Sequence, residues 1–428
     1  MSENLYVGLD IGTSKIAAVI GEESADGGLD FIGFGLEEAK GVRRGTIYNI
    51  PQAAEAIRRA VHQASRMANV EVKRVYVNVN DPQLGYRVSR GLATIRADGQ
   101  DRTIRPEDID RALETAQATK TDGGEIIHVI PLEYIVDDEE GITDPVGMTA
   151  AKLELKAILV LAQNRALSNL ERAVEAAGLE VAGFVAGPYA AGLGVLTPEE
   201  TESDTIVLDL GAGTTGVALF RKGRLARVHV LPLGGEHVSM DIAKLLKISF
   251  EEAERYKKKY GAALPDLADP ELVLEITHGA QPVENVPATE LAKIIRPRVR
   301  EIFMLARKEL ERDAGPVETM ANDVVLTGGG SLLKGTDRIA RDEFKLPVRL
   351  GRPRDTRTLD KELAHPTFAV AVGMVRYAAS EAAAKPKEPE PAYRPAPPPP
   401  PAKEARVSYA SLLEGLKRFF KNLYERMF

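Results

Sequence analysis

One short pattern occurs twice in this chain. Asp10-Ile11-Gly12-Thr13-Ser14-Lys15 and Asp209-Leu210-Gly211-Ala212-Gly213-Thr214-Thr215 each set a carboxylate, one apolar residue, a glycine and a group of hydroxyls in a row. Glycine lets backbone N–H groups come close to an anion and turn toward it. The hydroxyls of Thr13, Ser14, Thr214 and Thr215 can donate to phosphate oxygens, and Lys15 adds a positive charge. Asp10 and Asp209 suit a hard cation that keeps most of its waters, as Mg2+ does on a nucleotide. A tight hairpin turn selects the same residue types, so one copy alone carries little weight. Two copies 199 residues apart carry much more. A third cluster, Gly328-Gly329-Gly330-Ser331, offers bare backbone against which a flat ligand can lie.

Such residues need rigid elements behind them. An apolar β-type run leads into each Asp, and a second follows each turn, Ile16 to Ile20 and Gly216 to Phe220. Each motif is therefore expected at the tip of a hairpin. Asp323 to Thr327 reads as a strand feeding the glycine triplet, with a helical pattern from Leu332 to Phe344. In the first half, Asp30 to Leu36 reads as a third strand and Lys73 to Asn80 as another. Residues 51–68 read as an amphipathic helix, with Ala54, Ile57, Val61 and Ala64 on one face. A helix (Ala166 to Ala177), a strand (Glu180 to Ala186) and a helix (Tyr189 to Leu196) continue the α/β order. Residues 250–316 read as mostly helical, with Pro297 as a kink, and 365–384 as a helix crossing back to the first half. In this order, the three glycine-bearing stretches resemble the actin-like ATPase superfamily. That resemblance implies an α/β, duplicated, ribonuclease-H-like fold of two lobes closing on ATP and Mg2+. No G-x-x-x-x-G-K-[ST] occurs, so a P-loop is excluded.

A chain of 428 residues is too long for one ordinary core and predicts two to four subdomains. Its net charge of −7 argues against nucleic acid as a partner. The absence of cysteine excludes disulfides and thiolate metal sites. Met1-Ser2-Glu3-Asn4 lacks the basic and apolar regions of a signal peptide. No apolar run reaches the roughly 18 to 20 residues of a membrane span, so a membrane would be met from one side.

Residues 84–162 break the α/β order. Their β-type runs, Gly85 to Ile95, Glu125 to Val136 and Lys152 to Leu161, surround one helix starting near Pro106, which reads as an inserted α+β subdomain. His128, flanked by Ile127 and Val129, reads as a structural histidine. The segments His128-Val129-Ile130-Pro131-Leu132-Glu133-Tyr134-Ile135-Val136-Asp137 and Asp144-Pro145-Val146-Gly147-Met148 resemble the inserted subdomain of the bacterial FtsA cell-division family. Gly41-Val42-Arg43-Arg44-Gly45-Thr46-Ile47 is similar to that family too, and the resemblance runs from residue 5 to 384. It implies subdomain IA at 1–83, 163–203 and 364–384, with IC at 84–162. Subdomain IIA would be 204–232 and 317–363, and IIB 233–316. Gly234 and Gly235 match the family's G-G-x-x-[ST]-x-D-[IV], a helix start that would face the nucleotide. Glu254 and Lys257, three apart on one helix face, match residues that contact ribose and adenine. A solvated charged helix capped by Gly261 is the alternative for that stretch.

The end of the chain has a different composition. Residues 385–402 hold nine prolines, an extended spacer able to reach roughly 55 Å at about 3.1 Å per residue. On a helical wheel, Leu412, Leu413, Leu416, Phe419, Phe420, Leu423, Tyr424, Met427 and Phe428 then fill one half. Lys417, Arg418, Lys421 and Arg426 share the other half with Glu414 and Glu425, leaving Ser411 to Phe428 at +2. A basic polar face opposite an aromatic apolar one describes a helix lying in an anionic lipid interface. Docking into a protein groove is its rival. The linker is placed at 385–407 and the helix at 408–428. Members of the FtsA family end in such a helix.

The family resemblance implies an ATP-binding protein that polymerises with itself and attaches FtsZ to the cytoplasmic face of the membrane at the division site. Later division proteins would be met through the inserted subdomain. A related pilus-assembly adaptor and a sugar-kinase-type enzyme are the alternatives; no substrate motif supports the second. A chaperone-like ATPase would need a substrate-binding domain, whereas residues 385–428 read as a spacer and one helix. The linker Ala186-Gly187-Pro188-Tyr189-Ala190-Ala191-Gly192 has no carboxylate or amide to orient an attacking water, so at most weak ATPase activity is expected, with no catalytic residue assigned.

Overall fold

The computed structural model describes residues 5–384 apart from 25–26, 97–100, 120, 122, 277–283 and 313. The proline spacer and the amphipathic helix expected over 385–428 lie outside the described residues.

The first lobe opens with β1 (Leu5–Ile11), β2 (Lys15–Glu23) and β3 (Leu29–Glu38). A small hairpin, β4 (Val42–Arg43) and β5 (Thr46–Ile47), precedes α1 (Ile50–Ala68) and β6 (Arg74–Val79). The insert follows: β7 (Gly85–Thr94), β8 (Arg102–Thr103), α2 (Pro106–Gln117), β9 (Gly124–Val136), β10 (Glu139–Ile142), β11 (Thr149–Ala150) and β12 (Lys152–Gln163). The first lobe resumes with α3 (Asn164–Ala176) and β13 (Glu180–Ala186), and α4 (Gly187–Val195) and α5 (Pro198–Glu202) lead out of it. The second lobe holds β14 (Thr205–Leu210), β15 (Thr215–Arg221), β16 (Arg224–Leu231), α6 (Gly235–Leu246) and α7 (Phe250–Tyr260). After these come β17 (Val273–Ile276), β18 (Glu284–Pro287), α8 (Ala288–Glu311), β19 (Asp323–Thr327), α9 (Thr336–Phe344) and β20 (Val348–Leu350). Two helices, α10 (Asp360–Leu363) and α11 (Ala369–Ala384), close the described chain.

The lobes share one topology. Their sheets run β3-β2-β1-β6-β13 and β16-β15-β14-β19-β20, each an antiparallel hairpin pair extended by two parallel strands. Both sheets are covered on both faces, so their central strands are almost continuously apolar. In the first, Leu9 and Ile11 face α1, while Tyr6, Ala17 and Val19 join Ala371 and Val375 of α11. In the second, Ile206 and Leu208 meet Phe303 of α8, and Val207, Ala218 and Val325 share a core with Ala190 and Val195 of α4. Helix α4 is thus packed between the lobes. It crosses α11 at glycines, since a Cβ on Gly373 would stand 1.7 Å from the Ala190 carbonyl.

The insert is a four-stranded sheet, β10-β9-β12-β7, against which α2 packs Ala112 and Ala116. His128 is the structural histidine that its apolar flanks imply. Its Nε2 accepts the Ala186 N–H at 3.0 Å, which leaves Nδ1 to carry the proton toward Tyr377 Oη at 3.3 Å. Burial pushes this imidazole down to about 4, so it is neutral at pH 7. On the opposite side, Arg224 of β16 donates to the Pro131 carbonyl at 2.7 Å. The insert therefore touches both lobes.

Two expectations are refined. Residues 250–316 are mostly helical, in α7, a 3-10 turn at Pro265–Leu267 and α8, but β17 and β18 pair as a hairpin before α8. The alternation was present in Val273-Leu274-Glu275-Ile276, of which Leu274 and Ile276 turn inward. Gly261 is the C-cap of α7, as expected, but in an extended conformation at φ −69 and not the left-handed one usual for a glycine cap. Glycine is required there by a close approach instead, since a Cβ would lie 2.3 Å from the Lys257 carbonyl.

Candidate functional site

Both Asp–Gly motifs are hairpin turns, as their flanking runs imply, and their registers agree residue for residue. Asp10 pairs with Ala17 and Ile11 with Ile16; Asp209 pairs with Gly216 and Leu210 with Thr215. The Gly12 N–H donates to the Lys15 carbonyl at 2.9 Å, and the Gly211 N–H to the Thr214 carbonyl at 3.0 Å. The N–H groups of Thr13, Ser14, Ala212 and Gly213 make no hydrogen bond to described residues, which leaves them available to an anion. The two turns meet across the cleft between the lobes: a Cβ on Gly213 would lie 2.6 Å from Thr13 Oγ1.

The two carboxylates differ. Asp10 is buried and paired, with Lys15 Nζ at 2.5 Å and Asn78 Nδ2 at 2.7 Å. Asp209 accepts no hydrogen bond and forms no ion pair among the described residues. Burial pushes it up to about 7, the Asp10 charge pushes the same way, and Lys15 opposes both. A carboxylate in that position invites a cation. The described residues contain no group of three or more His, Asp or Glu able to ligate an ion directly.

The other expected residues gather around the Asp209 turn. Gly234 and Gly235 lie at the start of α6, whose leading N–H groups are already engaged. Those of Gly235 and Glu236 donate to the Gly211 and Ala212 carbonyls, each at 2.9 Å, and so hold the turn from behind. Lys257 Nζ reaches the Gly235 carbonyl at 2.8 Å and Glu254 at 2.7 Å, and Ser239 Oγ also donates to Glu254. Burial lowers Lys257. Burial also works to raise Glu254, but Lys257 and Lys258 outweigh it and hold that carboxyl below its ordinary value. Gly328, at φ +80, packs so tightly that a Cβ would stand 2.3 Å from Asp209 Oδ1, whereas a Cβ on Gly329 would meet only Thr367 Oγ1, at 3.8 Å. Two hydroxyls are spent inside the protein. Thr215 Oγ1 donates to the Leu233 carbonyl at 2.8 Å, and Ser331 Oγ to the Gly328 carbonyl at 2.6 Å.

Sequence reasoning missed Asn78. Its side chain bridges β6 to β1, accepting the Ile11 N–H at 2.7 Å while donating to Asp10. An asparagine inside Val75-Tyr76-Val77-Asn78-Val79 was the available signal, because a buried amide needs partners. Thr327 was missed for the same reason. It pairs with Asp209, and its buried Oγ1 has no hydrogen-bond partner.

Two lobes of like topology, joined by crossing helices and presenting matched glycine hairpins to one cleft, define the actin-like class of ATPase folds. Solved structures agree on the fold. The PilM–PilN type IV pilus biogenesis complex aligns with TM-score 0.61 at 19% identity, over 87% of this chain and 98% of that one. MreB5 of Spiroplasma citri bound to ADP aligns with TM-score 0.54 at 15% identity, over 89% and 98%. Within this class the chain belongs to the FtsA family. The family model for cell division protein FtsA matches residues 206–373, and that for the SHS2 domain inserted in FtsA matches 86–161. Cell division protein FtsA of Pseudomonas aeruginosa is 34% identical over 378 residues, 88% of this chain and 89% of that protein. The Bacillus subtilis protein of that name is 34% identical over 383 residues (89% and 85%), and the Neisseria meningitidis one 32% over 418 (97% and 98%).

Proposed function

We propose that this division protein binds ATP with Mg2+ between its lobes, polymerises in that state, and ties FtsZ to the cytoplasmic face of the membrane through residues 408–428. The observation that carries the nucleotide reading is Asp209, a partly buried carboxylate without a partner among the described residues, beside two turns whose N–H groups are free. The actin-like fold supports it, and MreB5 of Spiroplasma citri shares that fold with ADP bound. Bound Mg2+ would supply positive charge to Asp209 and to the phosphates. The N–H groups of Thr13, Ser14, Ala212 and Gly213 would hold phosphate oxygens, with Asp10 keeping Lys15 in place beside them. Thr214 lines the same turn. Lys257, Glu254, Gly235 and the Gly328–Gly330 loop would receive the nucleoside, with a ring lying against the bare backbone at Gly329.

Turnover is expected to be slow. Helix α4 begins Gly187-Pro188 beside Gly216, and it carries no carboxylate or amide side chain to orient water. A steady-state rate of about 10 s⁻¹, typical of enzymes, would overturn this. The membrane role rests on the amphipathic pattern from Leu412 to Phe428. Co-sedimentation with anionic vesicles, with FtsZ and with or without ATP-Mg2+, tests the assembly. The intact chain should carry FtsZ down with lipid, and a chain ending at Ala402 should not. If both versions pellet alike, the tail is no anchor.

A further inference from the structure

The hairpin β4–β5 stands over both glycine turns. Its strands pair Val42 with Ile47 and Arg43 with Thr46, and the two residues between, Arg44 at φ 48 and Gly45 at φ 74, are both left-handed. This is the turn that favours Asn-Gly, so an arginine stands where asparagine is preferred. The hairpin is fixed to the first lobe. The Gly45 N–H donates to Thr13 Oγ1 at 3.2 Å, and a Cβ on Gly45 would lie 2.1 Å from the Asn80 carbonyl. From the second lobe, Gly213 comes so near that its Cβ would lie 3.0 Å from the Arg44 Cα. Across the cleft, burial and Glu254 raise the Glu236 carboxyl, while Lys257 and the charges of Arg43 and Arg44 work against them.

Two lysines of the cleft are committed, Lys15 to Asp10 and Lys257 to Glu254. The Arg44 side chain is exposed and has no hydrogen bond or ion pair among the described residues. A guanidinium presents a planar fork that matches phosphate oxygens. We propose that Arg44 binds the terminal phosphate of a nucleoside triphosphate held between the two turns, so that β4–β5 distinguishes triphosphate from diphosphate. This rests on the nucleotide reading of the cleft. Lys222-Gly223, at φ 48 and 76, repeats the same turn on the outer end of β15–β16 and serves as an internal control.

The test is calorimetric titration of the intact chain, R44N, R44K and K222N with ATP-Mg2+ and with ADP-Mg2+. Asparagine suits the left-handed position, so R44N should unfold at or above the wild-type temperature. R44N is expected to lower the ratio of ATP to ADP affinity about tenfold or more, the loss of one charge-assisted hydrogen bond, with ADP affinity nearly unchanged. R44K should recover part of that ratio, and K222N should match wild type. A wild-type ratio in R44N overturns the proposal, as does equal loss of both nucleotides, which would make Arg44 a support for Thr13 alone. If the unaltered chain binds neither nucleotide, the cleft reading fails and takes this proposal with it.

Discussion

The Asp10 and Asp209 turns have the same register, the same place in the same sheet order and nearly the same residue pattern, yet their carboxylates live in different surroundings. Opposite Asp10, β6 supplies Asn78; opposite Asp209, β19 supplies Thr327. At the end of the first turn stands Lys15, and at the matching place in the second stands Thr214. The first turn is therefore neutralised from within the lobe, with its carboxylate acting as a strut for Lys15. The second keeps a partly buried carboxylate that no group among the described residues satisfies. The backbone scaffold is the same in both lobes, and the two turns differ at Asn78 against Thr327 and at Lys15 against Thr214.

Removing the unsatisfied charge should have the largest effect. Asp209→Asn is expected to weaken ATP-Mg2+ at least a hundredfold by calorimetry, while raising the stability of the nucleotide-free chain at pH 8. The sign follows from the displacement of Asp209 from 3.8 up to about 7. Between those values the folded chain holds a proton that the unfolded chain has lost, so ionisation opposes folding. The penalty is absent below about pH 4, grows up to about pH 7 and is complete above it, at roughly 2–4 kcal/mol. Asp10→Asn breaks a pair instead of a penalty, so the nucleotide-free chain should lose stability; equal behaviour of the two variants would erase the contrast.

The pH dependence comes next. ATP-Mg2+ binding requires Asp209 ionised, so affinity should climb from pH 5 to 7, by up to tenfold per unit, and then level off. In Asp209→Asn the climb should vanish. A flat wild-type profile would show that Asp209 does not face the metal.

A smaller effect is expected from giving the first lobe the residue of the second. Asn78→Thr leaves the Ile11 N–H and one Asp10 oxygen short of a partner, a loss of about 2 kcal/mol in chemical denaturation. The smallest concerns Lys257, which has no counterpart in the β1–β2 turn. Lys257→Met should cost about fivefold in nucleotide affinity, on the order of 1 kcal/mol. An unchanged affinity would limit Lys257 to bracing Gly235 and Glu254.

The strands and the two turns were legible because their causes are local. Alternating apolar residues mark a sheet that is covered on both sides, and glycine with hydroxyls marks a turn that can approach an anion. The insert was legible for a similar reason, since three β-type runs around one helix interrupt the α/β order. The β17–β18 hairpin was lost inside a helical reading because its strands are only four residues each and lie between long helices. Asn78 and Thr327 escaped notice because a single polar residue in an apolar strand shows its purpose only beside its neighbour.

The sequence by itself thus determined where backbone could meet phosphate, because turn conformation depends on adjacent residues. Only the tertiary structure decided which carboxylate is satisfied and which is left without a partner among the described residues. That outcome depends on burial and on what distant strands bring, Asn78 as a partner for Asp10 but Thr327 without a bond to Asp209, and electrostatics acts through space without regard to order along the chain.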